Sequence, residues 1–302
     1  MILVFLFLNS LITSGQSVSD ILRKYVSDLR IVSSSPIPAS LLAERNALET
    51  MQASLVYYND SSSIVRAKIY LLNGKIGTSS KQDDIRKVTV NQLMLANRDN
   101  DISNVGMLWD LLSQFGKGDF SLSARDTIRS TFKRRSPPLD KLLKLIGYLE
   151  IVELKEDIRP LTLPPFNKKD RWAALLSLSR MGDEESTQSI LKRSRRLAIN
   201  DDVLYEIFPD LIYTRQPVLI NYMVTVLNSN EKNCLSADTE NEIPILCGYR
   251  VMEQLAPIIE QYPLKLEASG DIDMKDYSKA LVEVRNWFHQ RGDNFKINKD
   301  RF

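Results

Sequence analysis

The sequence predicts an all-α chain of stacked helical hairpins, an α-solenoid. Three observations indicate it: apolar residues recur at helical spacing in successive segments, Gly and Pro fall mostly at the junctions between segments, and no run sustains strand alternation. A single amphipathic hairpin cannot cover its own apolar surface, and such units therefore stack on their neighbours. We expect an elongated array in which each hairpin buries one side of the next.

The first fifteen residues, MILVFLFLNSLITSG, form an apolar run that ends in small residues. This pattern is typical of a secretory signal peptide, with cleavage predicted after Gly15. The run is shorter than the roughly 20 apolar residues that span a bilayer, so no permanent membrane anchor is expected. No Lys or Arg precedes the apolar core, which leaves a buried N-terminal helix as the alternative. The predicted location is secreted or periplasmic.

Residues 16–60 contain two amphipathic segments separated by SSSPIP, and we expect them to cap the array. Helical hairpins are predicted over residues 61–293. The fourth unit is expected to be truncated, because prolines after residue 159 prevent a long second helix. Polar residues 294–302 are expected to form a frayed C-terminal tail. The predicted segments of the array are 61–97, 102–133, 137–164, 170–197, 201–229 and a last pair, 243–261 with 275–290.

The clearest hairpin is DRWAALLSLSRMGDEESTQSILKRSRRL, residues 170–197. Asp170 is expected to cap its first helix. Gly182 supplies the left-handed residue that ends a helix, and Asp183 can cap the next one. The chain therefore reverses within about two residues, as in a tight antiparallel pair.

This hairpin resembles the HEAT-repeat superfamily, in which a first helix rich in Arg, Ala and Leu ends at a Gly-Asp turn. The resemblance is close over 170–197 and loose over the remaining hairpins. It implies a right-handed α-solenoid of about six irregular hairpins that holds a protein partner without a cofactor. Some similar proteins are bilin lyases and others bind damaged DNA, so a lyase or hydrolase, or an anion-binding or nucleic-acid-binding protein, is the functional alternative. Tetratricopeptide repeats are the structural alternative, but their fixed period is not seen. The matching residues are Arg171, Ala174, Leu175, Leu178, Gly182 and Asp183.

The overall charge is nearly balanced, with 40 Lys and Arg against 38 Asp and Glu. A chain with so small a net charge produces no strong electrostatic field that would attract nucleic acid or a membrane surface. Two basic clusters nevertheless end predicted second helices, and they form either an anion- or partner-binding stripe or solvated cations near helix C-termini. No aromatic residues interleave with them, so nucleic acid is not an expected partner. The clusters are Lys133, Arg134 and Arg135, and Lys192, Arg193, Arg195 and Arg196.

Candidate catalytic residues are few. His289 is the only histidine and ends a predicted helix, where an exposed imidazole is the ordinary outcome. Three acidic pairs fall at helix starts, where exposed amides favour carboxylates. The three tryptophans are expected to pack in cores. No catalytic centre is predicted. The acidic pairs are Asp83 with Asp84, Glu184 with Glu185 and Asp201 with Asp202, and the tryptophans are Trp109, Trp172 and Trp287.

Cys234 and Cys247 lie in one polar segment between apolar helices. In an exported protein this arrangement favours a disulfide, which would stabilise the fold by about 3 kcal/mol. Two free thiols are the alternative, because sequence separation does not determine Cα geometry. A zinc site would need two further ligands, and the chain has a single histidine. We therefore expect no metal.

Overall fold

The structure is a computed structural model that describes residues 17–236, 243–267, 270 and 272–302. The predicted signal peptide, residues 1–15, lies outside the described residues. The predicted all-α class is confirmed, since the described chain is helical apart from one two-stranded ladder and isolated bridges. The chain divides into two compact units, residues 1–96 and 97–302. The expected junction between capping helices and repeats, at residue 60, lies inside the first unit.

The described part of the first unit contains five α-helices, two of which begin at a serine cap. Ser17 and Ser62 accept hydrogen bonds from backbone N–H groups of the first turns of α1 and α4. The described helices are α1 (Val18–Ile31), α2 (Ala39–Leu42), α3 (Ala47–Ser54), α4 (Ser63–Ser79) and α5 (Asp83–Leu93).

The hairpin predicted over residues 61–97 forms as α4 and α5, but its glycines do not make the turn. Helix α4 continues through Gly74 and Gly77 to Ser79. A Cβ atom on Gly77 would lie 2.6 Å from Cγ2 of Thr89 in α5. Gly77 is therefore needed for the close approach of the two helices, and the expectation that glycines fall at the junctions between segments does not hold here.

The second unit contains the remaining helices and the short ladder, and its centre is α10, which packs along α8 and α11. The predicted truncation of the fourth hairpin is confirmed, because only the short helix α9 follows α8 before the proline-rich segment. The helices are α6 (Ile102–Leu112), α7 (Leu122–Lys133), α8 (Leu139–Tyr148), α9 (Lys155–Ile158), α10 (Lys168–Arg180), α11 (Glu184–Ser194), α12 (Asp201–Glu206), α13 (Phe208–Thr214), α14 (Pro217–Leu227), α15 (Gly248–Leu255) and α16 (Tyr277–Arg291).

The hairpin of α10 and α11 follows the prediction except at its start. Asn167, not Asp170, caps α10, and its side chain accepts from the Asp170 backbone N–H. Asp170 consequently lies in the first turn, where a carboxylate is also favoured. Gly182 has a φ of 82° and Asp183 accepts from Ser186 N, as predicted. The apolar faces of both helices are buried.

Beyond α14, the predicted long helix from residue 243 is replaced by a ladder and a short helix. Strands β1 (Cys234–Leu235) and β2 (Pro244–Ile245) pair antiparallel, and α15 begins at Gly248. The predicted disulfide is confirmed: Cys234 and Cys247 are bonded, with their Cα atoms 5.1 Å apart. No described helix combines the length and apolar character that crossing a bilayer requires.

Candidate polypeptide-binding site

Two arginines of the second unit are almost fully buried. Arg180 is the last residue of α10 and is 4% exposed, and Arg215 follows α13 and is 2% exposed. A buried guanidinium is costly unless its N–H groups find acceptors. Tyr148, at the end of α8, and Tyr213, in α13, are buried beside them. We call Tyr148, Arg180, Tyr213 and Arg215 the cradle.

The cradle forms because α8, α10 and α13 approach closely at Gly147. A Cβ atom on Gly147 would lie 2.7 Å from Cα of Ser177 in α10, and it would also clash with the Tyr213 hydroxyl. With no side chain at Gly147, the Tyr213 hydroxyl reaches the Lys144 carbonyl oxygen and donates to it at 2.5 Å. The C-terminal ends of α8 and α10 therefore meet at one place, and their last residues share one pocket.

Residues 298–302 lie in this cradle, so the expected frayed tail is wrong. All five of their carbonyl oxygens lie within hydrogen-bond distance of a cradle donor, and these bonds replace those with water. In chain order, the bonds join Arg215 Nε to Asn298 O (2.8 Å), Arg180 Nη2 to Lys299 O (2.8 Å), Tyr148 Oη to Asp300 O (3.0 Å), Arg180 Nη2 and Arg215 Nη2 to Arg301 O (2.9 and 3.3 Å), and Arg215 Nη2 to Phe302 O (3.2 Å).

The ring of Phe302 packs against the two tyrosines. Its centroid lies 5.4 Å from that of Tyr148 and 5.3 Å from that of Tyr213, with interplanar angles of 72° and 57°. The Arg180 guanidinium carbon lies 5.6 Å and 5.4 Å from the same two tyrosine centroids. Tilted aromatic pairs and cation–π contacts of this kind add about 0.5–1.5 kcal/mol each beyond area burial. The cradle therefore holds one side chain as well as the main chain.

The preceding residues approach the cradle as a short added strand. Ile297 forms an antiparallel bridge with Ile259. The Glu260 N–H donates to the Lys296 carbonyl oxygen at 2.9 Å, and the Asn298 N–H donates to the Ile258 carbonyl oxygen at 2.8 Å. Adding an extended segment in this way recognises the main chain and not a particular sequence.

All four cradle side chains are hydrogen-bond donors at neutral pH, although burial shifts the pKa values of the arginines and of the tyrosines in opposite directions. It lowers the pKa of Arg215 to about 10, with repulsion from Arg180 adding to the effect, and it lowers the pKa of Arg180 as well. Both guanidinium groups remain charged. Burial also raises the pKa of Tyr148 and of Tyr213, so both hydroxyls stay protonated. Such a site suits carbonyl or carboxylate oxygens.

Carboxylates act on the charge of the cradle from a distance: those of Glu150 and Asp300 oppose the lowering of the Arg180 pKa that burial causes. Within the part of the chain that the structure describes, no Asp or Glu side chain forms an ion pair with Arg180 or Arg215. The buried Nε of Arg180 also has no hydrogen-bond acceptor there. The segment in the cradle thus leaves one donor of Arg180 unused.

A cavity of about 440 Å³ lies beside the cradle and is lined partly by Phe302. One wall is apolar and includes Ile212 and Ile258. Another carries Asp210, which accepts from Trp172 Nε1 at 2.6 Å and pairs with Lys144 Nζ at 2.7 Å. The groove that holds residues 298–302 therefore continues past the aromatic ring.

The basic residues predicted as an anion- or partner-binding stripe are all exposed. Arg135 lies over the Phe132 ring and donates to the Asp157 carbonyl oxygen, and Arg193 lines a separate groove with Arg159. These contacts do not join the two clusters, and anion binding stays a prediction. None of the seven belongs to the cradle. They are Lys133, Arg134, Arg135, Lys192, Arg193, Arg195 and Arg196.

The other candidates take ordinary structural places. His289 is exposed in the last turn of α16, and the three acidic pairs lie in the first turns of α5, α11 and α12. Trp109 is buried, whereas Trp172 and Trp287 are half-buried. Among the described residues, no three His, Cys, Asp or Glu side chains are close enough to hold a metal ion.

Sequence reasoning missed all four cradle residues. One signal was present: Arg180 follows Ala173 and Leu176 at spacings of seven and four, so it occupies an apolar position of α10. A charged residue at such a position needs buried acceptors. Their source, a segment more than 100 residues further along the chain, is not visible in the local pattern.

The chain was compared with protein-family models, curated proteins and solved structures, and none of them matches it. The function is therefore inferred from the cradle and the segment that lies in it.

Proposed function

We propose that this protein is an exported, non-catalytic scaffold that binds segments of protein partners by their main chain in its cradle. One observation carries the proposal: five consecutive backbone oxygens, those of residues 298–302, lie within hydrogen-bond distance of three buried side chains. Carbonyl groups are present in every polypeptide. A site built this way is suited to protein partners in general.

The cradle donors are held by the helices themselves, which supports binding of a segment from outside. Arg180 Nη1 donates to the Tyr213 carbonyl oxygen, and Arg215 Nη1 donates to that of Ile212. The Tyr148 hydroxyl has one proton and two carbonyl acceptors, Phe115 O at 2.9 Å and Asp300 O at 3.0 Å, so it bonds fully to only one of them at a time. Side chains that are already ordered lose little conformational entropy on binding.

A HEAT-like solenoid of about six hairpins is the wider architecture that we propose for this scaffold. In such arrays each hairpin contacts its neighbours and the stack offers a continuous binding surface. The hairpin of α10 and α11, with its Gly182–Asp183 turn, supports this assignment. The Cys234–Cys247 disulfide supports export, since disulfides persist in oxidising compartments.

The proposal is tested with a chain that ends at Ile297 and a fluorescent peptide of residues 298–302 carrying a flexible linker. We expect saturable binding in fluorescence polarisation. Arg180→Met in the shortened chain removes two main-chain bonds, and we expect at least a tenfold loss of affinity, about 1.4 kcal/mol. Arg196→Met, on the exposed surface, is the matched control and should leave binding unchanged.

Circular dichroism and thermal melting must first show that the shortened chain is folded. A folded shortened chain that binds no peptide would contradict the proposal, because the cradle would then be only an anchor for residues 298–302.

A further inference from the structure

We infer that residues 298–302 occupy in cis a site that selects, from a partner protein, a segment with an aromatic side chain at the Phe302 position. The chain's own segment is then a competitor that the partner must displace. This inference rests on the proposed function and adds the class of ligand and its regulation.

The selectivity follows from which side chains of the segment the cradle contacts. Lys299, Asp300 and Arg301 are exposed, and the cradle bonds their carbonyl oxygens and not their side chains. Phe302 is the one residue of the segment whose ring contacts other rings. An aliphatic or small residue at that position would keep the main-chain bonds and lose the two aromatic contacts. Selection should therefore operate at this position.

The adjoining cavity extends the same preference to larger rings. It is lined by Phe302 and by apolar side chains that include Ile212 and Ile258. The present ring does not fill this space, and it remains 39% exposed. An indole at the same position would reach further into the cavity and bury more apolar area.

The segment is exchangeable because little apolar surface holds it. The bonds to its five backbone oxygens can be replaced by bonds to water, at a small net cost for each. The preceding residues are anchored differently: the ring of Phe295 packs against Phe288 with centroids 5.4 Å apart, and Ile297 bridges to Ile259. Residues 298–302 can leave the cradle while this anchor stays in place.

Competition in cis is strong but can be overcome. A tethered segment has an effective concentration of about 1 mM. If it binds with a Kd of about 10 µM, its presence raises the apparent Kd of a partner segment about 100-fold. A partner of sub-micromolar affinity would still displace it.

The experiment measures binding of three fluorescent peptides to three chains by fluorescence polarisation. The peptides have the sequence of residues 298–302, the same sequence with Ala at the last position, and the same with Trp. The chains are the full chain, the chain ending at Ile297, and the full chain with Phe302→Ala. Full-length Arg196→Met, on the exposed surface outside the cradle, is the matched control.

We expect the shortened chain to bind the Phe and Trp peptides at least tenfold more tightly than the Ala peptide. The full chain should bind the Phe peptide about 100-fold more weakly than the shortened chain. The Phe302→Ala chain should be intermediate, and Arg196→Met should behave as the unchanged full chain.

Each contrary result has a separate meaning. Equal binding of the Phe and Ala peptides by the shortened chain would overturn aromatic selection and leave the proposed function standing. Equal binding by the full and shortened chains would overturn competition in cis. No binding by a folded shortened chain would overturn both this inference and the proposed function.

Discussion

Replacing Arg180 by Met should release residues 298–302 from the cradle without unfolding the second unit. Arg180 donates from Nη2 to two carbonyl oxygens of this segment, those of Lys299 and Arg301. Hydrogen bonds from a charged group contribute about 1.5–3 kcal/mol each. Both carbonyls return to water when the segment leaves, so the loss is smaller than the sum. We expect docking to weaken by about 1.5–3 kcal/mol, a factor of about 10 to 150.

Hydrogen exchange read by mass spectrometry measures this change directly. The Asn298 N–H belongs to the Ile259–Ile297 bridge and stays bonded when the segment leaves. The Asp300 N–H, which donates to the Asn298 side chain at 2.9 Å in the docked segment, is the group whose exchange rate follows the undocked population. Deuterium uptake over residues 295–302 should rise in Arg180→Met, while uptake in α8 should stay close to that of the unchanged chain. Arg196→Met is the surface control and should show no change. If Arg180→Met stays folded with unchanged uptake over residues 295–302, the assignment of Arg180 as a main-chain clamp is refuted.

Three further predictions concern stability. Cys247→Ser should lower the free energy of unfolding, measured by urea unfolding without reductant, by about 3 kcal/mol. Equal urea midpoints for the variant and the unchanged chain would contradict this prediction. Gly147→Ala should cost about 1–3 kcal/mol because its Cβ would overlap α10 and a cradle hydroxyl. Gly118→Ala, with no atom within 4 Å of its Cβ, should melt like the unchanged chain; similar melting of both variants would count against the close contact. Burial acts to raise the pKa of Asp183, but hydrogen bonds from the next turn and from Arg159 hold it below its ordinary 3.8. The stability from this carboxylate is present above about pH 4 and lost as the pH falls further, so Asp183→Asn should flatten the acid-side loss measured by urea unfolding between about pH 5 and about pH 3. An unchanged slope would show that Asp183 is not the titrating group.

Local chemistry predicted the turn between α10 and α11 well, because caps and left-handed turns depend on a few neighbouring residues. The turn at Gly182 and the cap at Asp183 follow from residue type alone. Where a residue served packing between helices, local reasoning failed. Gly77 resembles a turn residue in the sequence, yet it lies inside α4 because Thr89 approaches it too closely for a side chain.

The candidate site was beyond local reasoning for a related physical reason. Exposed Lys and Arg clusters attract attention in a sequence, whereas Arg180 and Arg215 are single residues among apolar ones. Their importance arises from burial. A buried guanidinium without hydrogen-bond acceptors has a high free-energy cost, so each of these arginines requires carbonyl oxygens at defined positions. Those partners belong to residues 298–302, which look like a solvated tail in the sequence.

Helical spacing, capping residues and the two cysteines were therefore sufficient to predict an all-α chain with a disulfide, since these features act over a few residues or one covalent bond. Tertiary structure alone decided that α8, α10 and α13 end at one place and that the chain's own residues 298–302 lie there. Whether a given carbonyl oxygen bonds to water or to a buried arginine depends on how segments far apart in the sequence pack together. No local sequence pattern encodes that packing.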